Sequence, residues 1–186
     1  MQRTTKILVV QSISVFRLIA ALIFACLAFQ DIPLGLLATT YALAMCSDLV
    51  DGILARRLNE ESFAGKVIDL ISDKSLTVVS VLYAAERDVH LLPLALIATR
   101  EIIVIGLRAI TVDGTQLLPT SRLFGGTMAF LLWGNTLFLV LVPKGHDMVQ
   151  IAGHIYWFCA LVFVTNLVLR VYVSRHRIMA SLTKVE

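Results

Sequence analysis

The sequence predicts an all-α integral membrane protein with six transmembrane helices and both termini on the cytoplasmic side. Three observations carry that expectation. Of the 186 residues, 58% are hydrophobic and 16% charged, with a mean hydropathy of +0.85, which leaves too little polar surface for a soluble domain of this length. The apolar residues gather into six long runs rather than thin stripes, and such runs are long enough to cross a bilayer as helices. The basic residues of the flanks divide unevenly between the two sides that six crossings would create.

The first run covers Ile7–Phe29. It exceeds the apolar region of a secretory signal and lacks a convincing cleavage site, so it is expected to stay as a membrane helix. A break at "QDIPLG" follows, with Pro33 suited to a helix start. The second run is Leu34–Leu54, continuing to Arg57, and "RRLNEESFAG" is a polar connection. The third is Val67–Ala85, ended by the charged "ERDVH". The fourth is Leu91–Ile110, begun around Pro93, after which "TVDGTQLLPTSR" is expected to be a loop. The fifth is Leu123–Val142, closed by "PKGHD", and the sixth is Val149–Val173, trailed by the polar "SRHRIMASLTKVE". No internal repeat or low-complexity linker interrupts them, so a single domain over residues 1–186 is expected. Arg3, Lys6, Arg56, Arg57, Lys66, Arg122, Arg175, Arg177 and Lys184 fall on one side, and Arg87 and Lys144 on the other. The first side is then cytoplasmic, and the connection between the second and third helices faces it.

Several function classes drop out. A net charge of +3 without a basic stripe interleaved with aromatics gives no nucleic-acid partner. Cys26, Cys46 and Cys159 are odd in number and scattered in apolar segments, which fits core hydrophobes rather than disulfides or a zinc site. His90, His146, His154 and His176 form no Ser/His/Asp or Cys/His constellation and read as solvated or packed side chains.

What the apolar runs do not explain is their acids. Asp48, Asp51, Gly52 and Ala55 are spaced 0, 3, 4 and 7, so they share one helix face, with Arg56 one position beyond. Gly65, Asp69 and Asp73 are spaced by four and share a face of the next helix. A short connection makes the two helices antiparallel neighbours, with both faces open to one cavity. An acid at the centre of a membrane helix costs about 2.5–3.5 kcal/mol, so something positive must meet these four. Arg56, Arg57, Lys66 and Lys74 are candidates, and internal salt bridges are the plain alternative. A divalent cation fits better: all-oxygen ligand sets suit Mg²⁺, Mn²⁺ or Ca²⁺, and a two-metal arrangement suits phosphoryl chemistry. Gly52 and Ala55 would let a bulky ligand approach the backbone, or let helices pack closely. A small cation transporter is the competing class, although the acids gather toward one end of two helices instead of lining a crossing. A catalytically dead membrane scaffold is a third.

A second cluster lies in "TREIIVIGLRAI". Arg100 and Glu101 are adjacent, so they are not expected to face each other, whereas Arg100 and Arg108 are eight apart and share a face. Arginines on a membrane helix need anionic partners, and guanidinium groups hold phosphate in a bidentate fork. Pairing with Glu101, Asp113 or the aspartate cluster is the alternative.

Taken together, Asp48 to Asp73 read D-x-x-D-G-x-x-A-R-x8-G-x3-D-x3-D. This resembles the signature of the CDP-alcohol phosphatidyltransferase family, with every position matched, and the six-helix layout resembles the family's core. The resemblance implies a homodimeric membrane enzyme that moves a phosphatidyl or similar group from a CDP-linked lipid such as CDP-diacylglycerol to an alcohol, releasing CMP. It implies two divalent ions, Mg²⁺ or Mn²⁺. Carried over by position, Asp48, Asp51 and Asp69 are metal ligands, and Asp73 shares a metal and acts as general base. Gly52, Ala55 and Gly65 line the cytidine pocket, Arg56 contacts the diphosphate, and Asp48 and Asp69 also belong to the CDP site. Arg17, in "SISVFR", resembles the family's start of the first helix.

The "TREIIVIGLRAI" stretch is similar to the R-E…G-L-R segment of bacterial phosphatidylglycerophosphate synthases. That likeness implies glycerol 3-phosphate as acceptor, its phosphate held by Arg100, Arg108 and Arg122, in a bacterial inner membrane with the site facing the cytoplasm. Those synthases continue with a G-K-x-K-T-like stretch, where this chain reads "PTSRLFGGTMAF". Arg122 and Thr127 remain, but Phe124 and Gly126 stand near the places of the two lysines. Another polyol, or phosphatidylglycerol as in cardiolipin synthases, therefore stays open as acceptor. Inositol phosphate would want the same missing cations.

Overall fold

The computed structural model describes residues 2–30, 32–58, 63–109, 111–112, 115–116 and 122–183, with side chains described for 12–30, 32–48, 50, 67–68, 70–107 and 126–175. Six α-helices account for nearly all of them: α1 (Gln2–Leu27), α2 (Leu34–Leu58), α3 (Phe63–Glu86), α4 (Leu91–Ala109), α5 (Arg122–Leu141) and α6 (Met148–Thr183). All-α is therefore the right class, and each helix covers all but at most the last residue or two of the apolar run that predicts it.

Helix boundaries follow local chemistry. Pro33 stands just ahead of α2, and its carbonyl accepts the Leu36 N–H at 2.9 Å. Pro93 falls in the first turn of α4, where its missing N–H has no intrahelical partner to lose. Two expectations are corrected at the ends. The segment after Val173 does not leave the helix, and α6 runs on to Thr183. That tail is polar but carries no Gly or Pro, so nothing in its backbone stops the helix. The segment expected as a plain loop after α4 contains two short strands, β1 (Thr111–Val112) and β2 (Thr115–Gln116), paired antiparallel with Thr111 opposite Gln116. The sequence between them is Asp-Gly, a preferred two-residue hairpin connection.

The packing differs from the expected α2–α3 pair. Helix α1 packs on both α2 and α3, α5 also touches both, and direct α2–α3 contact is slight among the described residues. Helix α6 packs on α4 and α5. The shared core takes residues from all six helices, among them Phe24, Tyr41, Leu76, Ile97, Leu132 and Tyr156. Hydroxyls inside it are paired: Tyr41 with Ser80 at 2.6 Å, and Tyr156 with Thr136 at 2.7 Å.

Large aliphatic side chains point outward from every helix. Leu22, Leu43, Val78, Ile102, Leu141 and Leu161 are each more than half exposed, Ile102 by 71%. An apolar exterior of that extent belongs against another apolar phase. Among the described residues, one helix is long and apolar enough by itself to cross a bilayer: Met148–Arg175, 28 residues at a mean hydropathy of 1.7.

One end of the bundle is tied by the α3 terminus. The Val89 N–H bonds the Ala84 carbonyl at 3.1 Å and the Asp88 N–H bonds that of Ala85 at 3.2 Å, with Asp88 at φ 62°. This is a Schellman cap with aspartate where glycine is usual. Arg87 donates to Tyr83 Oη at 2.9 Å and to the Val142 carbonyl, and Lys144 pairs with Glu86 at 2.6 Å, which joins α3 to the end of α5. Left-handed backbone costs an L-residue about 1 kcal/mol that glycine does not lose. Asp88→Gly is therefore expected to raise the thermal midpoint of the detergent-solubilised protein by about 2–4 °C, read by thermal unfolding.

Candidate active site

The first cation to meet the aspartates comes from α1. Arg17 is fully buried. Its Nη2 lies 3.0 Å from Asp48 Oδ1 on α2, and its Nη1 contacts Asp73 Oδ1 on α3. Nε donates to Ser47 Oγ and Nη1 to Ser72 Oγ, both at 3.4 Å. Ser47 in turn donates to the Ala44 carbonyl at 2.7 Å, so its oxygen is held in place to receive the guanidinium. One planar fork thus gathers two carboxylates and two hydroxyls from two helices.

Asp48 and Asp73 remain about one third exposed, at 30% and 34%, so the pair is open on one side. The turn that carries Asp73 is braced from α5: Thr77 Oγ1 donates to the Asp73 carbonyl at 3.1 Å and accepts from Trp133 Nε1 at 3.3 Å. Asp51, Gly52, Ala55 and Arg56 lie within α2, and Gly65 and Asp69 within α3, but their side chains are outside the described residues. Helical register puts Asp51 one turn beyond Asp48 and Asp69 one turn before Asp73, both toward the α2–α3 connection. The side chains of Arg57, Lys66, Arg108 and Arg122, and all of Asp113, are outside the described residues as well.

Two sequence expectations change here. Among the described residues Lys74 pairs with Glu101 Oε2 on α4 and not with Asp48 or Asp73. Arg100 and Glu101, expected to point apart, pair through Nη1 and Oε1. Neighbouring Cβ atoms do diverge on a helix, but these long side chains converge at their tips, where burial leaves each charge few other partners. Arg100 and Glu101 are 6% and 8% exposed. The Arg100 guanidinium stacks over the Phe163 ring of α6 at 4.7 Å, and its Nε is buried without a hydrogen-bond partner among the described residues. Arg17 is the residue that sequence reasoning missed as the aspartates' partner. Its signal was a single arginine in an apolar run, which always demands an anion.

The donor chemistry at Asp48 and Asp73 fits a hard divalent cation: two carboxylates from different helices converge on one position that already accepts positive charge, with an open side. Among the described residues no group of three His, Cys, Asp or Glu side chains forms a complete ligand set; the remaining two motif aspartates lie outside them.

The Glu101 carboxylate is the one anion bonded to both Lys74 and Arg100 among the described contacts. Removing a partner from a buried ion group costs about 3–5 kcal/mol. Glu101→Ala is expected to lower stability by that order, seen as loss of thermal midpoint in detergent, whereas Glu101→Gln, which keeps one acceptor oxygen, should lose less.

Comparison with known sequences bears on these residues directly. The sequence model of CDP-alcohol phosphatidyltransferases matches residues 8–172, which include Arg17 and the whole Asp48–Asp73 segment. A protein of Rickettsia bellii (strain RML369-C), named CDP-diacylglycerol–glycerol-3-phosphate 3-phosphatidyltransferase, is 34% identical over 115 residues, covering 61% of this chain and 63% of that protein. The protein of the same name in Rickettsia typhi is 32% identical over 131 residues, 68% of this chain and 73% of the relative. That of Cereibacter sphaeroides is 35% identical over 89 residues, 46% of this chain and 40% of the relative. The chain thus spans less than two thirds of the length of some of these relatives.

Proposed function

The chain belongs to the CDP-alcohol phosphatidyltransferase family, and on that premise we propose that it transfers a phosphatidyl group from CDP-diacylglycerol to glycerol 3-phosphate, giving phosphatidylglycerophosphate and CMP. The observation that carries the reading is the meeting of Asp48 and Asp73, the first and last acids of the family motif, at one buried cation. The activity for which the relatives are named supports glycerol 3-phosphate as the acceptor.

In the reaction an acceptor hydroxyl oxygen bonds to the lipid-bearing phosphorus while the bond from that phosphorus to the CMP oxygen breaks. Asp73 takes the hydroxyl proton. Asp48, Asp51 and Asp69, with Asp73, are the ligands of the divalent ions, Mg²⁺ or Mn²⁺, and two of them. When bound, these ions supply neutralisation of the diphosphate and of the leaving CMP. Gly52, Ala55 and Gly65 leave space for the cytidine beside Asp48 and Asp69, and Arg56 reaches the diphosphate. Arg100, Arg108 and Arg122 hold the acceptor's phosphate. The buried Arg100, oriented by Glu101, is the part of that proposed site whose side chain is described.

The setting is a bilayer. The apolar exterior on all six helices supports six crossings, and the bias of Lys and Arg supports cytoplasmic termini with the site open to the cytoplasm. Residues 1–186 act as one membrane domain, paired as a homodimer, in a bacterial inner membrane.

The test is CMP release by purified protein given CDP-diacylglycerol, Mg²⁺ or Mn²⁺, and one acceptor at a time. Glycerol 3-phosphate is expected to stimulate release, EDTA to abolish it, and Asp73→Asn to lower kcat by about 10²–10⁴-fold with the fold intact. Full turnover by Asp73→Asn would remove the general-base role. Stimulation by phosphatidylglycerol alone would move the acceptor to the cardiolipin type, the reading favoured by Phe124 and Gly126 standing near the places of two lysines. Cation flux into liposomes with no CMP formed would make the chain a transporter.

A further inference from the structure

Arg17 lies outside the Asp48–Asp73 motif, on a different helix, yet it makes more of the described contacts to that motif than any other residue. All three of its guanidinium nitrogens are engaged there, on Ser47, Asp48, Ser72 and Asp73. The two serines fix the plane of the fork, and the two aspartates take its charge. Each aspartate is contacted by a different nitrogen, so the pair sits at the spacing of the fork's edge. A divalent ion bound to the same pair would meet the same two carboxylates.

We infer that Arg17 is a positioning residue that serves as the resident counter-charge of the aspartate pair. It holds Asp48 and Asp73 together while no divalent ion is bound, and it competes with the ion for their oxygens when one arrives. The site is thereby assembled in advance, at the cost of weaker ion binding. This rests on the reading of Asp48 and Asp73 as metal ligands. A guanidinium suits the role better than an ammonium, because two carboxylates and two hydroxyls can be served at once by one rigid plane, while a lysine offers a point charge.

The test separates this role from plain structural support by reading ion binding and stability without turnover. Wild type, Arg17→Gln and Arg17→Lys are purified in detergent, and thermal unfolding is followed in EDTA and across an Mn²⁺ titration. Arg17→Gln is expected to melt well below wild type in EDTA and to recover most of the difference with Mn²⁺. Its Mn²⁺ binding should be about tenfold tighter, which appears as a metal-induced shift larger than that of wild type by about 3–6 °C. Arg17→Lys keeps the charge without the fork; it should melt below wild type in EDTA yet show a metal-induced shift close to wild type. A loss in Arg17→Gln that is the same with and without Mn²⁺, or failure to fold even with Mn²⁺ present, would overturn the inference and leave Arg17 as a helix tie. In that first case the equal Mn²⁺ shifts of wild type and Arg17→Gln would leave the metal ligands standing. No Mn²⁺ shift in any of the three would bring down the ligand reading as well.

Discussion

A guanidinium with no exposure to solvent has to be met by anions, and Arg17 is the strongest such demand among the described residues. It sits on α1, so its anions must come from helices packed against α1, which are α2 and α3. The position of Asp48 relative to Asp73 is therefore set by a third helix instead of by direct contact between the two that carry them. Ser47 and Ser72, each one residue before an aspartate, complete the fork. The Trp133–Thr77 bond from α5 then holds the following turn of α3.

Two consecutive residues of α3 look in different directions, about 100° apart around the helix. Asp73 joins the Arg17 cluster, and Lys74 joins Glu101 and Arg100 on α4. Among the described partners, the first cluster has two carboxylates for one cation, and the second has two cations for one carboxylate. Counting those described partners alone, neither is neutral by itself. An excess of negative charge suits a divalent ion, and an excess of positive charge suits a phosphate. Helix α3 places the two excesses side by side, which is what a reaction between a metal-bound diphosphate and a phosphorylated alcohol would need.

Much of this was legible in the sequence, for reasons that differ by element. The six helices are visible because each must present an apolar run, and α2, α3, α4 and α5 begin and end within a few residues of the runs that predict them. The tail of α6 was invisible to hydropathy because a helix outside an apolar phase is marked only by the absence of breakers. The motif acids stand out because carboxylates in apolar helices are rare. The partner of those acids did not, since nothing in a linear chain ties residue 17 to residues 48 and 73; that pairing is made by tertiary packing. The Arg100–Glu101 pair was misjudged because the rule for adjacent helical residues describes where side chains start, not where long ones end.

The distribution of side-chain size also has a consequence. Ala21, Ala44, Ala84, Ala152 and Ala160 are fully buried where helices meet, while the bulky aliphatic groups lie outside. In the proposed bilayer setting, an outward leucine exchanged for isoleucine or valine would alter little, because its neighbours would be fluid lipid tails. An inward alanine has no such latitude, since an added methylene would push two packed helix axes apart. A lineage of such chains would keep its seams and lose its surface, as a water-soluble protein does, but the positions kept would be its small residues rather than its large ones.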